Sequence, residues 1–184
     1  MSRFIILILL SLGLTGQAQQ MLPGQKGIEL KYGVFPKSSD TYSYFISAGL
    51  ISYRKNGNYI FALAQYDRKY YQYKTIQIPI ESFLINAGYS FYFFGNRNRN
   101  MNINLGIGGA GGYEQVNQNV EVLDDGSLIN KTENIVYGMS AALSLESYLT
   151  SELVFLVEGK LRYLENSQLN PLQSMIGFGF RYNF

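Results

Sequence analysis

The sequence predicts an all-β fold, an eight-stranded antiparallel transmembrane β-barrel preceded by a cleaved signal peptide, and three observations carry that expectation. The first is the end of the chain. From Ser174 to Phe184 the residues alternate without a break, Ile176, Phe178, Phe180, Tyr182 and Phe184 on one parity and Met175, Gly177, Gly179, Arg181 and Asn183 on the other. A period of two sends the bulky side chains to one face of a strand and the small or polar ones to the other. Bulky residues in that number overfill the interior of a small eight-stranded barrel, so the apolar face points outward, into lipid. The second is the start of the chain. Arg3 supplies a positive charge, Phe4 to Leu14 an apolar core, and Thr15-Gly16-Gln17-Ala18 a small-residue cleavage site, so residues 1–18 read as a secretory signal peptide cut after Ala18. That core is too short for an uncleaved helical anchor, which takes roughly 20 apolar residues. The third is composition: 47% hydrophobic residues with a mean hydropathy of -0.04 and no later apolar run long enough for a spanning helix. Lipid-facing residues diluted by lumen and loop residues give such averages in a β-barrel.

The strands follow in order. Ile28, Leu30 and Tyr32 alternate with Glu29, Lys31 and Gly33 in the first, and Val34 leads into a loop. Tyr42 to Arg54 is the second, and Lys55-Asn56-Gly57-Asn58 after it has the Asn-Gly signature of a tight hairpin. The third runs from Tyr59 to about Tyr71. In both the second and the third, large residues fall on either parity, which predicts β-bulges or an apolar patch in the lumen. The fourth covers roughly Ile78 to Phe94, with Phe83, Ile85, Ala87, Tyr89, Phe91 and Phe93 outward. Gly95 to Asn100 turns the chain into the fifth, Met101 to about Glu114. Gln115 to Asn134 is the longest connection, and its Asp124-Asp125-Gly126-Ser127 turn signal suggests a small hairpin. Ile135, Tyr137, Met139, Ala141, Leu143 and Leu145 form the outer face of the sixth. Leu149-Thr150-Ser151 is a minimal turn. The seventh sets Leu153, Phe155, Val157, Leu161 and Tyr163 against Glu158, Lys160 and Arg162, and Asn166 to Leu172 leads to the eighth. Connections after strands two, four and six are short and those after one, three, five and seven longer or more polar, which predicts both termini in the periplasm. The last strand also resembles the insertion signal of bacterial outer-membrane barrels, carried here by Phe180, Tyr182 and Phe184 and read by the barrel assembly machinery.

Residue types absent from the chain narrow its chemistry. With no His and no Cys, Ser-His and Cys-His catalysis and ordinary zinc sites are excluded, and no disulfide or lipoprotein anchor forms. The expectation is no catalytic residue, no metal and no cofactor. A formal charge of +2 is too small to argue for nucleic acid, so no direct nucleic-acid binding is expected. Gly106-Ile107-Gly108-Gly109-Ala110-Gly111 fits G-x-G-x-x-G, but a nucleotide site needs a helix after it, and here the glycines lie inside an alternating strand. Glu29, Lys31, Glu114, Glu146, Glu158, Lys160, Arg162 and Arg181 share the lumen parity; their mixed signs predict a structural ion-pair network in preference to acid/base catalysis or transport. Tyr66, Tyr70, Tyr71 and Tyr73, interleaved with Arg68, Lys69 and Lys74, read as an interfacial girdle with snorkelling cations, the competing reading being a surface for an anionic glycolipid or nucleic acid.

Met21-Leu22-Pro23-Gly24-Gln25-Lys26-Gly27-Ile28-Glu29 resembles the mature N-terminus of the TraO family, encoded by Bacteroidetes conjugative transposons. The resemblance extends to Asn86-Ala87-Gly88-Tyr89, to Gly111-Gly112-Tyr113-Glu114 and to the aromatic C-terminus. It implies a component of a conjugal transfer apparatus of the type IV secretion kind, with no catalytic residues to carry over and with other conjugal transfer proteins as partners. The expected organisation is a signal peptide (1–18), a periplasmic segment (19–26) and an outer-membrane barrel (27–184) bathed in outer-membrane lipid, acting as scaffold or anchor. The alternative is a free-standing barrel for adhesion, envelope stability or narrow transport.

Overall fold

A computed structural model describes residues 22–36, 43–74, 76–96, 100–121, 127–129, 132–168 and 170–184. Eight strands form a closed barrel: β1 (Lys26–Val34), β2 (Tyr44–Tyr53), β3 (Tyr59–Tyr73), β4 (Ile76–Gly95), β5 (Met101–Val116), β6 (Glu133–Tyr148), β7 (Leu153–Glu165) and β8 (Leu172–Asn183). Each pairs antiparallel with its neighbours, and β8 closes on β1 through pairs such as Glu29 with Arg181 and Leu30 with Phe180. Paired residues followed around the wall from Leu30 run through Ala48, Ala64, Ile85, Gly111 and Tyr137 to Glu165. The short way from Leu30 runs through Phe180 to Phe155. The two arrivals on β7 differ by ten residues (165 less 155). That stagger is the shear that tilts the strands and sets the width of the interior.

The faces obey the alternation. Leu30, Leu50, Ile85, Ile107, Leu143, Leu161 and Phe178 stand exposed on the outside, while Glu29, Asp67, Asn86, Glu114, Glu146 and Arg162 are buried inside. A lipid exterior makes such an arrangement favourable, since the closed strand pairing satisfies the backbone within the wall and the apolar belt avoids water.

Four details depart from or refine the expected pattern. Strands β2 and β3 pair without any register shift, so their two-sided bulk is an apolar patch in the lumen: Ile51, Tyr53 and Tyr59 pack against Tyr148, Val154 and Leu156. The bulge lies instead in β4, between Tyr92 and Phe94, and it turns both Phe93 and Phe94 outward. The connection after β3 is short, not long: β3 runs to Tyr73 and β4 begins at Ile76, past the expected ends, with Lys74 at φ +52 between them. The extension buries Ile78 and Ile80 against Val116, with Tyr73, Ile76 and Ile129 around them, a small apolar core that a polar loop would have forfeited. Of the expected hairpin in the β5–β6 connection, the flanks pair, Ile129 N–H donating to Glu121 O at 2.8 Å, while residues 122–126 lie outside the described ones.

At the end that carries the termini the links are 54–58, 96–100 and 149–152. Asn56 and Gly57, with φ +64 and +80, form the tight turn whose closing bond runs from Asn58 N–H to Lys55 O. Before β1, Leu22–Gln25 is a turn closed by Gln25 N–H to Leu22 O at 3.0 Å, with Pro23 second and Gly24 third at φ +92. That is the type II pattern, which needs a glycine in its third place. Gly24 N–H donates to Tyr53 O, and Tyr53 N–H to Gln25 O, so the segment before β1 is pinned to β2. The predicted signal peptide and Ala18 lie outside the described residues.

Candidate functional site: a charged and filled lumen

Arg181 on β8 organises the half of the lumen nearer the termini. Its Nε and Nη2 donate to Glu29 Oε2 at 2.9 and 2.6 Å. Its Nη1 reaches Glu146 Oε2 at 3.0 Å and the Tyr53 hydroxyl at 2.9 Å. Its guanidinium also lies 4.4 Å from the ring centre of Tyr59, a face that attracts cations. Tyr59 O–H donates to Glu146 at 2.8 Å. Lys31 bridges Glu29 and Glu158, 2.9 Å from each. The result is one chain of alternating charge, Glu158, Lys31, Glu29, Arg181, Glu146, assembled from β1, β6, β7 and β8.

Toward the opposite mouth a second group forms around Asp67 on β3. Arg162 pairs with Asp67 in a short contact and donates to Gln173 Oε1 at 2.7 Å. Lys69 donates to the same oxygen at 2.9 Å and lies over the Phe35 ring at 4.9 Å. Gln65 donates to Asp67 Oδ1 at 2.6 Å. Between the groups, Lys160 donates to Asn86 Oδ1 at 3.1 Å and Gln65 Oε1 at 3.4 Å.

All eight residues expected in the lumen point into it, but two of them do not pair as expected. Glu114 accepts from Gln168 N–H at 2.7 Å and from the hydroxyls of Ser167 at 2.9 Å and Ser82 at 3.4 Å, so it ties the β7–β8 loop to the wall instead of joining a cation. Lys160 is held by neutral amides among the described residues. Conversely, Asp67 and Lys69 belong to the lumen and were not anticipated; Lys69 therefore leaves the outer girdle in which the sequence placed it. With these added, carboxylates Glu29, Asp67, Glu114, Glu146 and Glu158 face cations Lys31, Lys69, Lys160, Arg162 and Arg181, one of each sign for every other. Buried charges that are matched and hydrogen-bonded hold their side chains in one arrangement.

Space beside these charges is small: a partly open cavity of about 20 Å³ touches Glu29, Lys31, Tyr59, Ser90, Glu158 and Lys160, room for about one water. The glycine-rich stretch lies within β5, where a Cβ on Gly112 would sit 2.0 Å from Phe83 O and one on Gly108 2.6 Å from Ala87 O. Those glycines let β4 and β5 pair, and the 3-10 turn Asn117–Asn119 after the strand offers no helix for phosphate. Phe180, Tyr182 and Phe184 all stand exposed on the outer face, Tyr182 donating to Glu152 at 2.8 Å.

Among solved structures the fold is similar to Ail, the attachment invasion locus protein of Yersinia pestis, in complex with the heparin analogue sucrose octasulfate (TM-score 0.57, 12% identity, 89% of this chain and 100% of that one). It is also similar to the outer membrane protein OprG from Pseudomonas aeruginosa (0.56, 12%, 91% and 98%) and to Neisserial surface protein A (0.54, 15%, 88% and 97%). At these identities the likeness concerns the fold. No curated protein matches the chain. Closed wall, apolar exterior and packed polar lumen define a small transmembrane β-barrel of the bacterial outer-membrane type. The model of the family described as conjugative transposon protein TraO matches residues 22–184, and the chain belongs to that family.

Proposed function

We propose that this protein is a non-enzymatic outer-membrane barrel of a conjugative transposon's DNA-transfer apparatus, of the type IV secretion kind, and that it serves there as scaffold or anchor. The family match over residues 22–184 carries the reading. A lumen whose charges are mostly paired with one another, and otherwise held by amides and hydroxyls, with a cavity of only about 20 Å³ beside them, favours a supporting role over catalysis or conduction. The termini face the periplasm, consistent with the compact links at that end. The pinned Leu22–Gln25 turn then presents an exposed Leu22 to other transfer proteins on that side. Neither a cofactor nor direct contact with the transferred DNA is required.

Deletion of the gene is expected to lower conjugation frequency without changing growth. A Glu114→Gln copy that assembles normally should restore transfer. Planar bilayers holding the purified barrel should show no steady conductance. Undiminished transfer in the deletion strain would remove the transfer role, and a stable ion-selective current would replace the scaffold with a narrow transporter.

A further inference from the structure

The mouth of the lumen opposite the termini is covered, although the wall ends there. Glu114, Val136 and Leu164 lie near the outer ends of β5, β6 and β7, yet all three are fully shielded from solvent. Among the described residues the cover is the start of the β7–β8 loop, Asn166 to Gln168. That loop leaves from β7, and β6 stands between β7 and β5. The bonds from Gln168 N–H and the Ser167 hydroxyl to the Glu114 carboxylate, at 2.7 and 2.9 Å, therefore carry the loop inward across the mouth. Leu164 N–H donates to Pro171 O at 2.8 Å and closes the loop at its base.

This cover is held unlike the rest of the barrel. The β3–β4 hairpin at the same end is fixed by Ile78 and Ile80 packed against Val116, and the other half of the lumen by ion pairs to Arg181. Asn166, Ser167 and Gln168 bring neither charge nor an apolar side chain. Asn166 turns at φ +61, a conformation that asparagine tolerates, and the two residues after it hang on one carboxylate. Beneath them, Arg162 commits only Nη2, to Asp67 and Gln173. Its Nε and Nη1, and Gln173 Nε2, are buried without a partner. Buried donors are normally served by protein or by water. With the wall closed and the other half packed around Arg181, water reaches these donors through the covered mouth. We propose that residues 166–168 are a strap that opens and closes this mouth, with Glu114 as its catch. Opening wets the Asp67–Arg162 group and leaves the Arg181 group sealed, so it makes a one-ended vestibule and not a channel. The inference does not depend on the transfer role.

The chain has no cysteine, so a single Val136→Cys reports on the space under the strap. In the full barrel, held in vesicles of outer-membrane lipid, it should react slowly with a charged thiol reagent that does not cross membranes. Adding Glu114→Ala should raise that rate by roughly tenfold or more, the least expected from losing a hydrogen bond to a charged group. Glu114→Gln keeps an acceptor, and labelling should stay slow. In Glu114→Ala the Gln168 amide should exchange faster with deuterium while the Leu164 amide, at the base of the loop, stays protected. Val154→Cys, packed with Tyr53 and Tyr148 in the other half, should remain slow in both backgrounds, and heat-modifiable migration reports that each variant is folded. Val136→Cys that already reacts fast in the otherwise unaltered chain would overturn the proposal. So would a folded Glu114→Ala barrel in which it stays slow, or one in which Val154→Cys speeds up with it.

Discussion

Arg181 is the side chain on which the lower lumen depends, because Glu29 and Glu146 both lean on its guanidinium and both are shut off from water. Arg181→Met would leave buried Glu146 without its cation and Glu29 with Lys31 alone, and breaking such pairs costs about 3 to 5 kcal/mol. Glu114→Gln should cost closer to about 1 kcal/mol, since its partners are neutral donors that an amide oxygen still satisfies. Urea titrations of the two variants in lipid vesicles should separate them clearly; equal midpoints would mean that the pairing around Arg181 contributes nothing beyond packing. Eight of the ten lumen charges were legible because each alternates with large apolar residues, as Glu158 and Arg162 do with Val157, Leu161 and Tyr163. Asp67 and Lys69 were not, because Asp67-Arg68-Lys69 is charged on both parities and tyrosines flank it on both sides. What assigns Asp67 inward is Arg162, its partner across the lumen and 95 residues away in the chain, a relation that no local pattern contains.

At the scale of the strand, the pairing of β6 with β7 rests on close backbone approach. Gly138→Ala would drive a methyl group into the Tyr163 carbonyl, whereas Gly109→Ala, on the next strand, meets only ordinary contacts. Overpacking of this kind costs about 1 to 3 kcal/mol or more, so the first variant should lose folded barrel on heat-modifiable gels and the second should keep it. Val157, exposed on the outside of β7, makes the complementary probe. Val157→Lys should cost about 2 to 4 kcal/mol if the residue lies near the bilayer midplane, and a silent substitution in vesicles would put that strand in the wrong face assignment. Strand existence and facing could be read from alternation almost throughout. The bulge at Phe93 could not, since an inserted residue leaves three aromatics, Phe91, Tyr92 and Phe93, running on into Phe94 with no parity to mark the break. The long β3–β4 hairpin was also hidden, because Gln72, Lys74 and Gln77 look like a loop until Ile78 and Ile80 find Val116.

For the whole molecule the decisive event is closure of the barrel in the membrane, and the last residue takes part in it. Phe184 N–H donates to Lys26 O at 2.9 Å and Lys26 N–H to Phe184 O at 3.3 Å, so the start of β1 and the end of β8 clasp each other. The ring itself does little for the finished wall, being exposed to the outside beyond the last paired residue of β8. We propose that this exposed aromatic, with Phe180 and Tyr182 above it, is read during assembly and not packed afterward. Replacement of Phe184 by Ser keeps both backbone bonds and removes the ring without adding a charge. Cells should consequently accumulate much less folded barrel, while protein refolded from urea into vesicles without any assembly machinery should match the unaltered chain in stability to within about 0.5 kcal/mol, as surface changes usually do. Equal yields in cells would eliminate the insertion signal, and a refolded barrel that is itself unstable would show that the aromatic ring serves the wall and not the machinery that builds it.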